Sequence, residues 1–142
     1  MAKKYGTALT NVIAGTMEAM APGSSVNAAL RVHREVFNLA NLASGDDAVL
    51  ASVRAGDVVL GMEITGSVDL SGMTFKIGDV ADDDRYMTAT AGPATPGIPK
   101  KVGLTSGIDN DPLDAAREIL ARLGGTLPGA GTIVVLTFVS HR

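Results

Sequence analysis

The chain has 142 residues, no cysteine and a formal net charge of −3 at pH 7, so it suits one domain without disulfides or thiolate metal sites. The acidic balance argues against a general nucleic-acid binder, and no apolar run approaches the ~18 residues of a membrane helix. Only 4% of the residues are aromatic and none is tryptophan, which predicts a thin aliphatic core that neighbouring subunits help to complete.

Residues 1–28 are rich in alanine, glycine, threonine, serine and methionine. Lys3 and Lys4 precede a mildly apolar stretch, but polar residues interrupt it, so we expect a chain made in the cytoplasm without a signal peptide. Apolar residues follow a loose helical spacing that Gly15 weakens. We interpret this segment as an N-terminal arm that extends across a neighbouring subunit, with a frayed terminus or a leading strand as open alternatives.

Residues 29–39 have the alternation of a strand, with Leu30 and Val32 on one parity. The apolar pattern then changes frame at Arg34 and Glu35, which predicts a β-bulge at that point. A turn at 44–47 and a short strand over 48–53 follow.

The stretch 57–87 contains the clearest strand signal. Two runs are apolar on one parity and are joined by a glycine-containing turn, with no helix between them to cover a parallel sheet. These apolar positions are Val58, Leu60, Met62 and Ile64 in the first run and Met73, Phe75 and Ile77 in the second. The pattern predicts a meander of paired strands.

Further strands are predicted over 85–90, 100–104 and 132–139, with a proline-rich loop over 92–99 that connects strands or contacts a partner. The last strand is apolar on both parities except for two threonines, which is typical of a strand buried on both faces or at a subunit interface. The regular spacing of strands predicts a sandwich or a barrel.

Residues 113–123, LDAAREILARL, fit two structures. Asp111 could cap a helix that has Pro112 in its first position, and the apolar residues follow helical spacing. The glycine-rich stretch 124–131 instead suits a loop between paired strands, in which residues 118–123 are extended. Helix and strand both remain open.

The sequence contains no recognisable catalytic motif. His33 lies within a strand pattern and His141 lies beside the C-terminus, and neither belongs to a motif. There is no G-x-S-x-G elbow and no phosphate-binding glycine loop. We therefore predict a protein that is not an enzyme, with no catalytic residue and no cofactor.

Two groups of charged residues are candidates for binding sites. The carboxylates of Asp79 and residues 82–84 could hold Ca²⁺, but their spacing does not match an EF-hand loop, so a solvated turn is favoured and no metal is predicted. Residues 109–111 are likewise interpreted as a turn. The basic candidates for nucleic acid lack interleaved aromatic residues, so we predict no such partner. They are Arg31, Arg34, Arg54, Lys100 and Lys101.

Three stretches resemble a known family, the small virion proteins of tailed bacteriophages that decorate the capsid exterior as cement or head-fibre proteins. They are AGDVVLGMEITGSVDLSGMTFKIGDVADDDRYM, RYMTATA and GGTLPGAGTIVVLTFVSHR, and the likeness covers about residues 30–142. The resemblance implies a mostly β, jelly-roll-like antiparallel β-sandwich over residues 29–142, preceded by the extended arm over 1–28. It also implies a homotrimer that is seated on the lattice of the major capsid protein.

On this basis we expect a structural protein that binds the major capsid protein and stabilises the outside of a phage capsid, with no membrane association. Two alternatives stay open. One is a tail, neck or head-fibre component of the same kind of particle, and the other is a β-sandwich module that binds a carbohydrate or a receptor.

Overall fold

The computed structural model describes residues 29–102 and 112–141. The predictions made for residues 1–28 and 109–111 therefore lie outside the described residues. Within the described ranges the strands are β1 (Ala29–Asn38), β2 (Asp47–Val53), β3 (Val58–Gly66), β4 (Met73–Gly78), β5 (Met87–Ala91), β6 (Lys100–Val102), β7 (Arg117–Gly125) and β8 (Thr132–His141). No helix in this part of the chain is long and apolar enough to cross a membrane.

The strands form two antiparallel sheets of four strands each. Sheet A has the order β1-β8-β3-β6, and sheet B has the order β2-β7-β4-β5. The pairing is nested, because β1 pairs with β8, β2 with β7, β3 with β6 and β4 with β5. A long hairpin that rolls up on itself produces this order, which is that of a jelly roll. The predicted antiparallel β-sandwich is thus confirmed.

The core lies between the inner faces of the two sheets. Its side chains come from alternate positions of the strands, as the period of two requires, and most of them are aliphatic. They include Met62, Ile64, Met73, Phe75, Ile77, Ile119, Leu123, Ile133, Val135 and Val139, each no more than 2% exposed.

The ambiguous segment 113–123 is extended where it enters β7. In β7 the residues Ile119, Ala121 and Leu123 are buried, and the residues between them are more exposed. Both edges of β7 are paired, with β2 on one side and β4 on the other. These neighbours come from distant parts of the chain, so they outweigh a helical propensity that depends only on local sequence.

The bulge predicted at Arg34 and Glu35 is wrong. The register between β1 and β8 is continuous over all ten residues of β1. The prediction assumed that every apolar side chain in this strand points into the core, whereas Leu30, Val32 and Val36 point outward and are exposed. β1 is therefore a regular edge strand with its apolar side turned away from sheet B.

Candidate assembly surface

The outer face of sheet B carries a cluster of compensated charges, beside the exposed Val49. Arg122 of β7 donates from Nε to Asp47 Oδ1 at 2.8 Å and from Nη2 to Asp47 Oδ2 at 3.0 Å. Its Nη1 also reaches Asp83 Oδ2 at 3.1 Å, and Lys76 Nζ lies 3.2 Å from the same oxygen. The hydrogen bonds from Arg122 hold the pKa of Asp47 below its usual value. Such exposed pairs add little stability, but they suit a face that meets water.

Asp79 is the most heavily bonded carboxylate of the acidic loop between β4 and β5. Its Oδ2 accepts from Arg85 Nε at 2.7 Å and from Arg117 Nη1 at 2.9 Å. Its Oδ1 accepts from the backbone N–H groups of Ala81 and Asp82, both at 2.9 Å. Burial alone raises the pKa of Asp79, but these hydrogen bonds outweigh it and leave the pKa below its usual value. Both oxygens are thus used to close the loop and to join it to β7.

The structure brings Asp82, Asp83 and Asp84 together, with one carboxylate oxygen of each within 4.8 Å of the others. It keeps Asp79 out of this group. Asp83 is already neutralised by Lys76 and Arg122. Carboxylates this close together could hold a cation, and they also suit a surface turn with Lys76 and Arg122 as counter-ions.

The other sequence candidates whose side chains are described lie in β1, in the turn before β3 and in β6. Arg31 Nη2 pairs with the buried Asp57 at 2.5 Å. His33 faces Thr137 across β1 and β8, and both His33 Nε2 and Thr137 Oγ1 are buried without a hydrogen-bond partner. Lys100 Nζ donates to a backbone oxygen at 2.6 Å. The basic residues are thus distributed over different elements, and the side chain of His141 lies outside the described part.

The outer face of sheet A is apolar, in contrast to that of sheet B. Cross-strand neighbours from β1, β8 and β3 form three rows on it. The rows are Val32, Phe138 and Gly61; Arg34, Leu136 and Glu63; and Val36, Val134 and Thr65. We refer to these nine residues, together with Leu30 and Leu60, as the sheet A face. Leu30 is 59% exposed, Val32 is 50% exposed, and Val36 and Leu60 are each 47% exposed.

The sheet A face has the composition of a surface that another layer covers. The inner side of β8 is buried in the core, and its outer side is apolar as well, through Val134, Leu136 and Phe138. Strands with two apolar sides occur where a sheet is covered on both faces. A contiguous exposed apolar patch is a typical sign of a protein–protein contact.

The sequence predicted the β8 part of the sheet A face and not the β1 part. The apolar character of the last strand on both parities predicted burial on both faces or an interface. The contribution of β1 was not predicted, because the change of frame at Arg34 and Glu35 was interpreted as a bulge. The signal was that Leu30, Val32 and Val36 share one parity, interrupted only by Arg34, since this pattern needs no bulge if that side faces outward.

The comparisons with known proteins concern the fold. No family model matches the chain, and no curated protein gives a significant match. A solved structure described as the cyanophage Pam1 capsid asymmetric unit contains a similar chain, with 17% identity, a TM-score of 0.54, and coverage of 86% of this chain and 91% of that one. A chain in the capsid of Ralstonia phage GP4 has 15% identity and a TM-score of 0.58, and the match covers 81% of this chain and 84% of that one. A chain in the acidic stable capsid structure of Helicobacter pylori bacteriophage KHP30 has 8% identity and a TM-score of 0.58, and the match covers 78% of this chain and 86% of that one. At these identities the likeness is one of fold, and the chain therefore has the fold of chains found in three phage capsids.

Proposed function

We propose that this chain is a structural protein of a tailed-phage particle, which decorates the outside of the capsid by binding the major capsid protein as a homotrimer. The observation that carries the proposal is the fold shared with chains of three phage capsids. The match spans at least 78% of this chain and at least 84% of each matched chain, so it concerns the whole domain.

The contrast between the two outer faces supports an assembling subunit. The sheet A face exposes aliphatic side chains, which is unfavourable for a protein that stays alone in water. Sheet B presents paired charges instead, as on Arg122, Asp47 and Asp83. In the proposed particle the sheet A face is buried against protein and the outer face of sheet B meets solvent.

The proposal assigns separate roles to two parts of the chain. Residues 29–142 form the rigid sandwich, and residues 1–28 act as an arm that adds to the attachment. No catalytic role is proposed. The carboxylate of Asp79 is engaged by two arginines and two backbone N–H groups, which supports a structural use of the one deeply buried acidic group in the loop between β4 and β5.

The test is a measurement of the protein in purified particles. Quantified gel bands should give a copy number comparable with that of the major capsid protein, and purified protein should sediment with expanded capsids that lack it. Capsids without the protein should release DNA at a lower temperature, and its addition should restore them. A stable monomer that neither binds such capsids nor occurs in particles would overturn the proposal. A copy number of a few per particle would instead place the chain in the tail or neck.

A further inference from the structure

The sheet A face carries one charge at each side of its central row. Arg34 lies on β1 and Glu63 lies on β3, with Leu136 of β8 between them. The backbones of β1 and β3 are roughly 10 Å apart, because one strand separates them. Within the described ranges neither Arg34 nor Glu63 forms an ion pair. Lys101 of β6 is the cross-strand neighbour of Glu63, and it is exposed.

In the two rows above and below the central row, the side chains of β1 are larger than those of β3. β1 presents Val32 and Val36, whereas β3 presents Gly61 and Thr65 at the same levels. A Cβ added at Gly61 would meet nothing within 4 Å in the subunit, so the space above Gly61 is open. The β1 side therefore presents Arg34 between two valines, and the β3 side presents Glu63 between Gly61 and Thr65, with Leu60 and the exposed Lys101 of β6 beside them. Arg34 and Glu63 complement each other in charge, and Val32 and Gly61 complement each other in size.

We propose that a second copy of this chain occupies the sheet A face, with the β1 side of one copy against the β3 side of the next. Arg34 then pairs with Glu63 of the neighbouring copy, and Val32 fills the space above its Gly61. A pair formed in this way also avoids leaving a lone charge in an apolar contact, which is costly.

The inference rests on the proposed homotrimer and specifies its interface. A contact between two different surface patches is heterologous, and it closes into a ring when the rotation allows. If the three-fold axis is parallel to the strands, equivalent rows of the three copies lie at the same height along the axis. Phe138, Leu136 and Val134 then meet their equivalents at the axis and form three apolar layers.

The experiment is a charge exchange followed by light scattering on a sizing column. The original chain should be a trimer, whereas Arg34→Glu and Glu63→Arg should each weaken association by about a hundredfold or more, since each places like charges together. The double variant, Arg34→Glu with Glu63→Arg, should restore the trimer. As matched controls, Glu118→Arg on the exposed outer side of β7 and Arg54→Glu in an exposed turn should leave it intact.

Gly61→Leu provides a second variant that does not depend on charge. A Cβ at this position meets nothing within 4 Å in the subunit, so the variant chain should still fold, but its leucine would collide with Val32 of the next copy and weaken the trimer. An original chain that is monomeric overturns the inference, as does a trimer that survives Arg34→Glu, Glu63→Arg and Gly61→Leu. If such a chain still binds capsids, the proposed function stands without this interface. If the trimer responds as expected but never binds capsids, the interface stands and the proposed function fails.

Discussion

At the scale of single residues, Asp79 joins three parts of the sandwich. It receives hydrogen bonds from its own loop, from Arg85 at the end of that loop and from Arg117 at the start of β7. Its side chain is 4% exposed, whereas those of Arg85 and Arg117 are 37% and 21% exposed. Water therefore screens the arginines in part, but the carboxylate depends on its protein partners.

Replacing Asp79 with asparagine should destabilise the subunit by about 2–4 kcal/mol, because the charge that binds two arginines is removed while the site stays buried. Asp47→Asn is the matched control. The Asp47 carboxylate is 38% exposed and binds one arginine, so its loss should cost less than about 1 kcal/mol. Urea unfolding of the three proteins measures both values, and equal losses for the two variants would contradict the assignment of Asp79 as a buried hub.

The same residue predicts how stability depends on pH. The pKa of Asp79 is lowered in the folded chain, so its ionised form favours folding. This contribution is complete above the unfolded pKa of about 4 and is lost as the pH falls through the lower, folded pKa. The difference in unfolding free energy between the original chain and Asp79→Asn should therefore be constant at neutral pH and shrink below about pH 4. A difference that stays the same in acid would show that Asp79 does not titrate with folding.

At the scale of elements, β7 shows how tertiary pairing decides between two local structures. In a helix, Ile119, Leu120 and Leu123 would lie on one face, whereas in a strand Leu120 lies opposite the other two. The structure has the second arrangement, with Ile119 at 0% and Leu123 at 2% exposure and Leu120 half-buried on the outer side.

Alanine substitutions in β7 test this arrangement. Ile119→Ala should cost about 2–4 kcal/mol, since it opens a cavity in the core. Leu120→Ala should cost about 1 kcal/mol or less, because its side chain lies on the outer face and is not fully buried. Chemical unfolding measures both. Similar costs at the two positions would favour the helical arrangement.

At the scale of the whole molecule, the two sheets differ in what their outer faces can meet. Sheet B neutralises several of its own charges through Arg122 and its partners, whereas the sheet A face is apolar and its Arg34 and Glu63 form no ion pair within the described ranges. In the proposed particle the sandwich would therefore have a solvent side and an assembly side, and a decorating subunit of this kind would bind in one orientation.

Deletion of residues 1–25 tests the division of the chain into arm and sandwich. The sandwich should still unfold cooperatively with an unchanged β-type circular dichroism spectrum, and its affinity for capsids should fall by about tenfold or more, which corresponds to roughly 1.4 kcal/mol. Co-sedimentation with expanded capsids measures the affinity. Loss of the folded spectrum would show that this segment supplies a core strand and is not an arm.

The sequence by itself determined the class of fold, because the alternation of apolar side chains is a property of neighbouring residues. It identified the extent of β3, β4 and β8 closely, and the apolar character of β8 on both parities indicated a second covered face. The meander predicted for β3 and β4 is wrong, because the two strands lie in different sheets. Leu60, predicted on the buried side of β3, is exposed where the register with β8 shifts. Local alternation cannot say which of its two sides faces inward, and this uncertainty produced the bulge wrongly predicted at Arg34 and Glu35.

Only the tertiary structure decided which strands pair and which side of each faces the core. The pairing of β1 with β8 joins the two ends of the described domain, and it turned Leu30, Val32 and Val36 outward. The pairing of β7 with β2 and β4 made an extended strand from a segment with helical spacing. Both outcomes depend on contacts between residues far apart in the chain, and it is these contacts that placed Arg34 and Glu63 on one apolar face.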